Sequence, residues 1–260
     1  MNIPTLEQLK VDDKLLFDFV EFFFGIKLYS YQMRLIKKCL TEKRICGLFP
    51  RQSGKSQAIA VYVLLVSILG KEDIIIAAPT ADQASLLYLK VVEMIEKNPD
   101  IRVLITRSVE EKTDFTTGST IRNITVGPTG VTKRGHTCSI LIEEEAQSIK
   151  DSINNTVLMP MLASKKDKGQ TIKIGTSNVR NHFYNSCYKD TKYSLIEVGW
   201  EEVVKEGQYS LDFIEEQRLN LSDAEFQAEY CSKFIDDINA YFSIELIDSC
   251  AIEYDLIEIL

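Results

Sequence analysis

The chain has 260 residues, 45% of them hydrophobic, which is enough apolar material for the core of one large α/β domain. Its net charge of −8 argues against a protein that coats nucleic acid through bulk positive charge, although a local basic loop could still contact DNA. There is no uncharged apolar run of about 18 residues, no secretory signal, and no CxxC pair among the six cysteines. We therefore expect a protein with reduced thiols and without a membrane span, a disulfide framework or a zinc site.

Apolar runs in the first half of the chain alternate between strand-like and helix-like lengths. Short buried strands are predicted at Arg44–Phe49 and Asp73–Ala78, because each is a compact apolar run. Helical spacing predicts an almost wholly apolar helix over Ser56–Leu69 and a second helix over Ala81–Lys97. A third strand is predicted at Ile101–Thr106.

The second half of the chain continues this alternation. Buried strands are predicted at Cys138–Ile142 and Thr171–Thr176, and Lys165–Gly169 is the clearest exposed loop. The other predicted elements are hairpin strands Val109–Thr116 and Ser119–Val126 meeting at Gly118, a helix after Asn181, a strand near Ser194–Val198 and helices over Leu211–Tyr230.

The stretch LFPRQSGKSQAIA has the Gly-Lys-Ser ending of a phosphate-binding loop. In such a loop backbone N–H groups cradle the phosphates, the lysine reaches the β and γ oxygens, and the serine hydroxyl ligates Mg²⁺. Gly54, Lys55 and Ser56 can supply these parts, and they lie between a buried strand and an apolar helix, as the motif requires. Phe49 stands where the motif usually has its first glycine, a position that shapes the turn leaving the strand. Pro50 would stiffen this turn.

These elements predict an α/β P-loop NTPase fold of the RecA-like (ASCE) kind. It would have a mostly parallel sheet, helices on both faces and a small lid-like C-terminal subdomain. We expect an ATPase domain over residues 1–235, followed by a linker or tail over 236–260. The ATPase domain would divide into an N-terminal helical segment (1–43), a nucleotide-binding core (44–178) and the C-terminal subdomain (179–235).

Arg51 lies inside the loop, within reach of the γ-phosphate of a bound nucleotide. An arginine there could offset the negative charge that develops in the transition state of phosphoryl transfer. The alternative is a surface arginine paired with a nearby acid.

Three adjacent acids, Glu143, Glu144 and Glu145, directly follow the predicted strand Cys138–Ile142. In P-loop ATPases the carboxylate that ends this strand holds Mg²⁺ and the next one polarises the attacking water. The three acids would repel one another unless Lys55 and Mg²⁺ compensate their charge. The alternative is a helix start, where acids are favoured by the helix dipole.

Polar residues before the predicted strand Arg44–Phe49 and at the end of the predicted strand Thr171–Thr176 are further candidates for contacts with the nucleotide. The amide of Gln32 could pair with both edges of an adenine ring, although glutamine on an amphipathic helix is usually only solvated. Thr176, Ser177 and Asn178 end a strand and could sense the γ-phosphate or its water. His182 and His136 are interpreted as structural, hydrogen-bonding residues.

In this order, the motifs resemble the ATPase domain of the large terminase subunit of tailed bacteriophages. The resemblance covers roughly Tyr29 to Phe234. It rests on Tyr31-Gln32, the arginine-bearing loop, and the stretches AAPTADQA (77–84), KRGHT (133–137), ILIEEEA (140–146) and GTSNVRNHFY (175–184).

The resemblance implies ATP and Mg²⁺ as ligands and assigns roles to individual residues. Arg51 would act in cis, Glu144 would be the catalytic carboxylate together with Lys55, and Glu143 would join Ser56 at the metal. Thr176–Asn178 would couple hydrolysis to movement. The nucleotide would contact Gln32, Arg51, Gln52, Ser53, Gly54, Lys55, Ser56 and Gln57.

The resemblance also implies partners and a location. Such motors thread double-stranded DNA through a portal protein into a procapsid, assisted by a small terminase subunit, in the host cytoplasm. They work as a homo-oligomeric ring on the procapsid, and we expect a monomer in isolation. Arg134 is a candidate finger that reaches a neighbouring subunit, and Lys165, Lys166 and Lys168 are candidate DNA contacts.

Two other functions remain open from the sequence. A superfamily 1 or 2 helicase is disfavoured because only one RecA-like core fits this length. A module that holds ATP without turnover is disfavoured because Lys55, Ser56 and both acids are present. Terminase large subunits also carry a nuclease domain, for which this chain has no room, so we expect no DNA cleavage by it. The chain would then be a piece of a longer protein or a separate motor subunit.

Overall fold

A computed structural model describes residues 3–127, 135–178, 180–235 and 250. For residues 81–85, 166 and 167 it describes the backbone alone. The predicted finger Arg134 and, apart from residue 250, the predicted tail at 236–260 lie outside the described residues. None of the described helices is long and apolar enough to cross a membrane.

The described strands form one eight-stranded sheet. Their bounds are β1 Arg44–Leu48, β2 Asp73–Ala78, β3 Ile105–Val109, β4 Lys112–Phe115, β5 Thr120–Thr125, β6 Ile140–Glu144, β7 Gln170–Gly175 and β8 Ser194–Glu197. Their order across the sheet is β3-β4-β5-β2-β6-β7-β1-β8. In this order, all neighbouring strands from β5 across to β8 are parallel to each other. At the other edge β3 pairs with β4, and β4 with β5, in the antiparallel sense.

Helices connect the strands and cover the sheet. Their bounds are α1 Leu6–Val11, α2 Asp13–Phe24, α3 Ser30–Thr41, α4 Lys55–Leu69, α5 Ala81–Lys97, α6 Pro99–Arg102, α7 Asp151–Ile153, α8 His182–Tyr188, α9 Trp200–Lys205, α10 Leu211–Asn220 and α11 Asp223–Glu229. Tighter or wider helical turns follow β6, at Ala146–Ser148, and continue α7, at Asn154–Leu158 and Met159–Lys168.

Side chains alternate along the central strand β6, and both of its faces are buried. Ile140 and Ile142 of β6 pack into the main core with α4, on what we call the front face. Leu141 points the other way and packs against Val157 and Leu158, on the rear face. The predicted parallel sheet with helices on both faces is therefore confirmed.

The central helix α4 is buried along nearly its whole length, as its apolar sequence predicts. It contains no glycine or proline, and it begins after Gly54 and ends at Gly70. Its position fixes the loop that leads into it, because the end of β1 and the start of α4 are both held in the core.

The predicted strand at Ile101–Thr106 is wrong at its beginning. Residues Pro99–Arg102 form a short helical turn, and the strand starts only at Ile105. Asn98 and Pro99 are helix-start residues: the Asn98 Oδ1 accepts from the backbone N–H of Asp100 at 3.0 Å, and proline fits the first helical position.

The fourth predicted strand is displaced by two residues, at Ile140–Glu144 rather than Cys138–Ile142. Parallel neighbours on both sides, β2 and β7, satisfy its backbone groups as far as Glu143 and Glu144. The first two acids are therefore part of the strand and point to opposite faces. The predicted exposed loop at Lys165–Gly169 is also wrong, because residues up to Lys168 are helical.

Candidate active site

The loop between β1 and α4 forms a tight turn. Its backbone N–H groups lie at the N-terminus of α4. Gly54 has a φ of 82° and Gln52 a φ of 60°, both in the left-handed region that glycine favours. The carbonyl of Pro50 accepts hydrogen bonds from the Ser53 N–H at 3.4 Å and the Ser53 hydroxyl at 2.7 Å. Phe49 is buried beneath the loop, so its side chain occupies the core and not the space above Gly54.

Lys55 is the first residue of α4, and its ammonium group is held by an acid. Its Nζ lies 2.7 Å from Glu145 Oε1. Burial disfavours the charged lysine, but the nearby carboxylates of Glu144 and Glu145 outweigh burial and raise the pKa of Lys55. The lysine is therefore a fixed positive charge at the loop.

Glu144 points to the front face and meets the loop directly. Its Oε1 accepts a hydrogen bond of 2.7 Å from the Ser56 hydroxyl, and its buried Oε2 has no hydrogen-bond partner. Burial raises the pKa of Glu144 to about 6 against the opposing effect of Lys55.

Glu145 follows the strand with a φ of 51°, so its backbone lies in the left-handed region. A non-glycine residue held there is strained, and such strain is often found at functional sites. Burial opposes its ionisation, but the charge of Lys55 and hydrogen bonds from Lys55 and Gln147 prevail and lower the pKa of Glu145.

Glu143 does not lie with Ser56, contrary to the sequence-based expectation of a shared metal. It is fully buried on the rear face, where its Oε1 lies 3.9 Å from the Lys173 ammonium and its Oε2 lies 3.8 Å from His182 Nδ1. The physical reason is the alternation of side chains within β6, which continues two residues further than predicted. Burial raises the pKa of Glu143 to about 7, and Lys173 opposes this.

Gln32 lies against the loop, but its amide is already engaged there. Its Oε1 accepts from the backbone N–H of Tyr29, and its Nε2 donates to the carbonyl of Gly54, both at 2.9 Å. One N–H and one lone pair of the amide remain for a ligand. The structure thus places Gln32 as a brace between α3 and the loop.

Three residues from the C-terminal part of the chain, Gln208, Tyr209 and Glu229, also hold the loop, and no sequence pattern indicates this role. The backbone N–H of Arg51 donates to the carbonyl of Glu229 at 3.0 Å, and the carbonyl of Arg51 accepts from the Tyr209 hydroxyl. Gln208 donates to the carbonyl of Gln52 at 3.3 Å. These bonds are made to the loop backbone, which has no residue pattern that could reveal them.

The side chain of Arg51 is 68% exposed and lies 3.6 Å from the Glu229 carboxylate. This is the surface ion pair that the sequence left open as an alternative. An exposed pair of this kind is weak, so the guanidinium is available to a ligand at the loop.

The predicted coupling residues directly follow β7, which ends beside the loop, since the Phe49 N–H donates to the carbonyl of Gly175 at 3.0 Å. Thr176 and Ser177 are buried, and the Ser177 hydroxyl donates to the carbonyl of Ala228 at 2.7 Å. This hydrogen bond joins the segment to α11.

The remaining predicted residues lie away from this constellation or at its rim. Gln57 donates to the sulfur of Met94 at 3.5 Å. Lys165 pairs with Asp73 at 3.2 Å, and Lys168 is exposed. Asn178 is exposed, and its carbonyl accepts from the Ile235 N–H. The side chain of Lys166 lies outside the described residues.

An open cleft of about 1250 Å³ lies over the loop. Its polar floor includes Lys55, Ser56, Glu144 and Glu145, and aromatic side chains from the end of α2 form an apolar wall. A cleft that joins a phosphate-binding loop to an apolar wall suits a nucleotide, which has a charged and a planar end.

The loop between β1 and α4 ends in glycine, and acids lie at the end of β6, which is separated from β1 by one strand of the sheet. This arrangement defines a P-loop nucleotide-binding α/β protein. Residues 46–249 match the sequence model of the family described as terminase large subunit, T4likevirus-type, N-terminal. The chain therefore belongs to the terminase large-subunit family, as its motifs suggest.

Individual relatives agree with this family. The terminase large subunit of Thermus phage G20c is 27% identical in an alignment that covers 84% of this chain and 51% of that protein. This chain thus spans about half the length of the curated relatives it matches.

Solved structures share the fold. The large terminase ATPase domain of Thermus phage P74-26 has a TM-score of 0.68 at 24% identity, covering 84% of this chain and 98% of that one. The large terminase of bacteriophage HK97 also has a TM-score of 0.68, at 15% identity, covering 85% and 55%.

The brace formed by Gln32 generates a stability prediction. Replacing Gln32 with leucine leaves the N–H of Tyr29 and the carbonyl of Gly54 without partners in a partly buried region. The free energy of unfolding should fall by about 1–3 kcal/mol, measured by urea denaturation. Gln227→Leu makes the same change at an exposed position and should shift it by less than about 0.5 kcal/mol. Equal effects of the two substitutions would contradict the brace.

Proposed function

We propose that this chain is the ATP-hydrolysing motor domain of a terminase large subunit that moves double-stranded DNA into a viral procapsid. The observation that carries the proposal is the paired contact of loop and acids: Ser56 with Glu144, and Lys55 with Glu145. Family membership favours packaging over the helicase alternative.

The residues at the loop fit a magnesium ion. Magnesium prefers oxygen ligands and is commonly bound by one or two protein groups together with phosphates and water. The Ser56 hydroxyl and the Glu144 carboxylate provide oxygen donors, and Glu144 Oε2 is buried without a partner. We assign the metal to Ser56 and Glu144, in place of Ser56 and Glu143. A bound Mg²⁺ would neutralise phosphate charge there.

Glu145 is then the carboxylate that activates water. Phosphate oxygens arriving at the loop would compete with Glu145 for the ammonium of Lys55, because both partners are anionic. Once released, Glu145 can orient a water molecule and accept its proton as the water attacks the γ-phosphorus. Before nucleotide arrives, the charge of Lys55 and hydrogen bonds from Lys55 and Gln147 outweigh burial and lower the pKa of Glu145, so the carboxylate is held ionised at the loop. The products are ADP and inorganic phosphate.

Arg51 and the loop amides would stabilise the charge on the transferred phosphoryl group. Gly54 lets the backbone approach the phosphates closely, and the N-terminus of α4 contributes its positive end. The free N–H of the Gln32 amide and the apolar wall of the cleft suit the adenine end.

The finer expectations remain part of this proposal. We propose the division into a core over 44–178 and a lid-like subdomain over 179–235, with Thr176–Asn178, the last residues of the core, as the coupling segment. A portal protein, a small terminase subunit and other copies of this chain would be partners at the portal vertex in the host cytoplasm. Arg134 would reach a neighbouring copy, and Lys165, Lys166 and Lys168 would contact DNA phosphates.

The shifted register of the acids gives the first functional prediction. Glu145→Gln should bind ATP with magnesium nearly as the unaltered chain does, yet lose about 100-fold or more of its turnover, since a general base contributes that much. Glu144→Gln should weaken the magnesium-dependent part of ATP binding. Turnover is measured by phosphate release and binding by calorimetry.

Glu216→Gln, the same change at an exposed position of α10, serves as the control and should alter neither quantity. A Glu145→Gln variant with undiminished turnover would remove Glu145 from the proposed role.

The glycine of the loop gives the second prediction. A Cβ at Gly54 would lie 2.3 Å from Gln32 Nε2, so Gly54→Ala must displace the brace as well as strain the backbone. ATP affinity should fall by about tenfold or more, because the amides that face the phosphates move. Gly118→Ala is the matched control: its φ is 86°, and its new Cβ would meet only the flexible end of Lys71, at 3.1 Å.

Both variants should lose about 1–2 kcal/mol of stability from the left-handed backbone. Only Gly54→Ala should lose ATP affinity. Equal affinities in the two variants would contradict the phosphate-binding role of the loop.

A further inference from the structure

Behind the acids, on the rear face, four polar side chains form a group that we call the rear cluster: Glu143, Lys173, His182 and Asn154. All four are at most 6% exposed. Glu143 and Lys173 are register partners on β6 and β7. The ammonium of Lys173 lies 3.1 Å from Asn154 Oδ1, 3.0 Å from His182 Nδ1 and 3.9 Å from Glu143 Oε1.

The hydrogen bonds of His182 fix its state. Its Nε2 lies 2.9 Å from the carbonyl of Ile149, an acceptor only, so this nitrogen carries the proton. Nδ1 then offers a lone pair to the ammonium of Lys173. The histidine is neutral and bridges β7 to the segment that follows the acids.

Stability alone does not account for the rear cluster. Neither oxygen of the buried Glu143 has a hydrogen-bond partner. A buried ion pair without full hydrogen bonding contributes little net stability, and apolar side chains of similar volume often serve as well or better. The arrangement therefore calls for a role beyond holding the core together.

Two more hydrogen bonds tie the same segments. The N–H of His182 donates to Asp151 Oδ1, and Asn181 Nδ2 donates to the carbonyl of Gln147, both at 2.8 Å. The segment after the acids, residues 146–151, is thus fastened to the first residues of α8. Those residues in turn follow the predicted coupling segment Thr176–Asn178.

We propose that the rear cluster is a positioning device that links the strand end bearing Glu144 and Glu145 to helix α8. A displacement of the acids by nucleotide at the front face would then reach the segment after the coupling residues. Glu143, Lys173 and His182 are positioning residues and do not touch the nucleotide. This inference rests on the proposed function, because it requires nucleotide at the loop.

The test is hydrogen exchange of the full chain, followed by mass spectrometry, with and without ATPγS and magnesium. In the unaltered chain, nucleotide should slow exchange of amides at residues 53–57 and also, by about fivefold or more, in α8. Lys173→Met and the charge-balanced Glu143→Gln/Lys173→Met should keep the effect at residues 53–57 and lose the effect in α8. The double variant removes both charges together, so it keeps the test valid if the single variant does not fold.

A Glu7→Gln/Lys10→Met variant is the matched control. It deletes the 2.6 Å ion pair of α1 by the same two substitutions and should retain both effects. His182→Asn, which can still accept from Lys173 but cannot reach Ile149 as the imidazole does, should reduce the effect in α8.

Each contrary outcome has one meaning. If α8 still responds to nucleotide in the double variant, the rear cluster is only structural and the inference is wrong. If the unaltered chain responds at residues 53–57 and not in α8, the inference also fails, while the proposed function stands. If residues 53–57 do not respond in the unaltered chain, the proposed function fails and the inference falls with it.

Discussion

The active-site arrangement depends on the alternation of side chains along β6. Because this strand is paired on both sides and buried on both faces, its register admits no slip, and successive acids must point in opposite directions. Glu144 is thereby delivered to the loop and Glu143 to the rear face. A shift of one residue would turn Glu143 to the front face and take Glu144 away from the loop.

A second constraint is the way the loop is held. Its amide groups must face a ligand, so its shape has to be fixed from the other side. Gln32 does this from α3, and Tyr209, Gln208 and the carbonyl of Glu229 do so from the C-terminal part of the chain. Because these bonds reach the loop backbone, they tolerate unusual loop residues such as Phe49 and Pro50.

Much of this could be predicted from the sequence, since it follows from local patterns. Compact apolar runs located β1, β2 and β7, and the Gly-Lys-Ser triplet located the loop. The errors have physical causes. Asn98 and Pro99 start a helical turn, although the residues after them are partly apolar as in a strand. Pairing with β2 and β7 extends β6 through two acids, whose polar side chains suggest that the strand has already ended.

Long-range contacts explain what the sequence could not provide. Nothing near Tyr209 or Glu229 indicates that they hold a loop more than 150 residues away. Lys173 did leave a trace, as a charged residue in the middle of a buried strand, and such a residue requires a partner. Its partner is Glu143, which the predicted strand end at Ile142 puts at the metal, because that end is two residues too early.

Crystals grown with an ATP analogue and Mn²⁺, a stand-in for Mg²⁺ that the anomalous signal locates, would show whether Glu144 or Glu143 faces the metal and the phosphates. We expect a manganese peak on the front face, beside the Ser56 hydroxyl and the Glu144 carboxylate, with Glu143 still against Lys173. A peak coordinated by Glu143, with Glu144 turned away from the loop, would contradict this expectation.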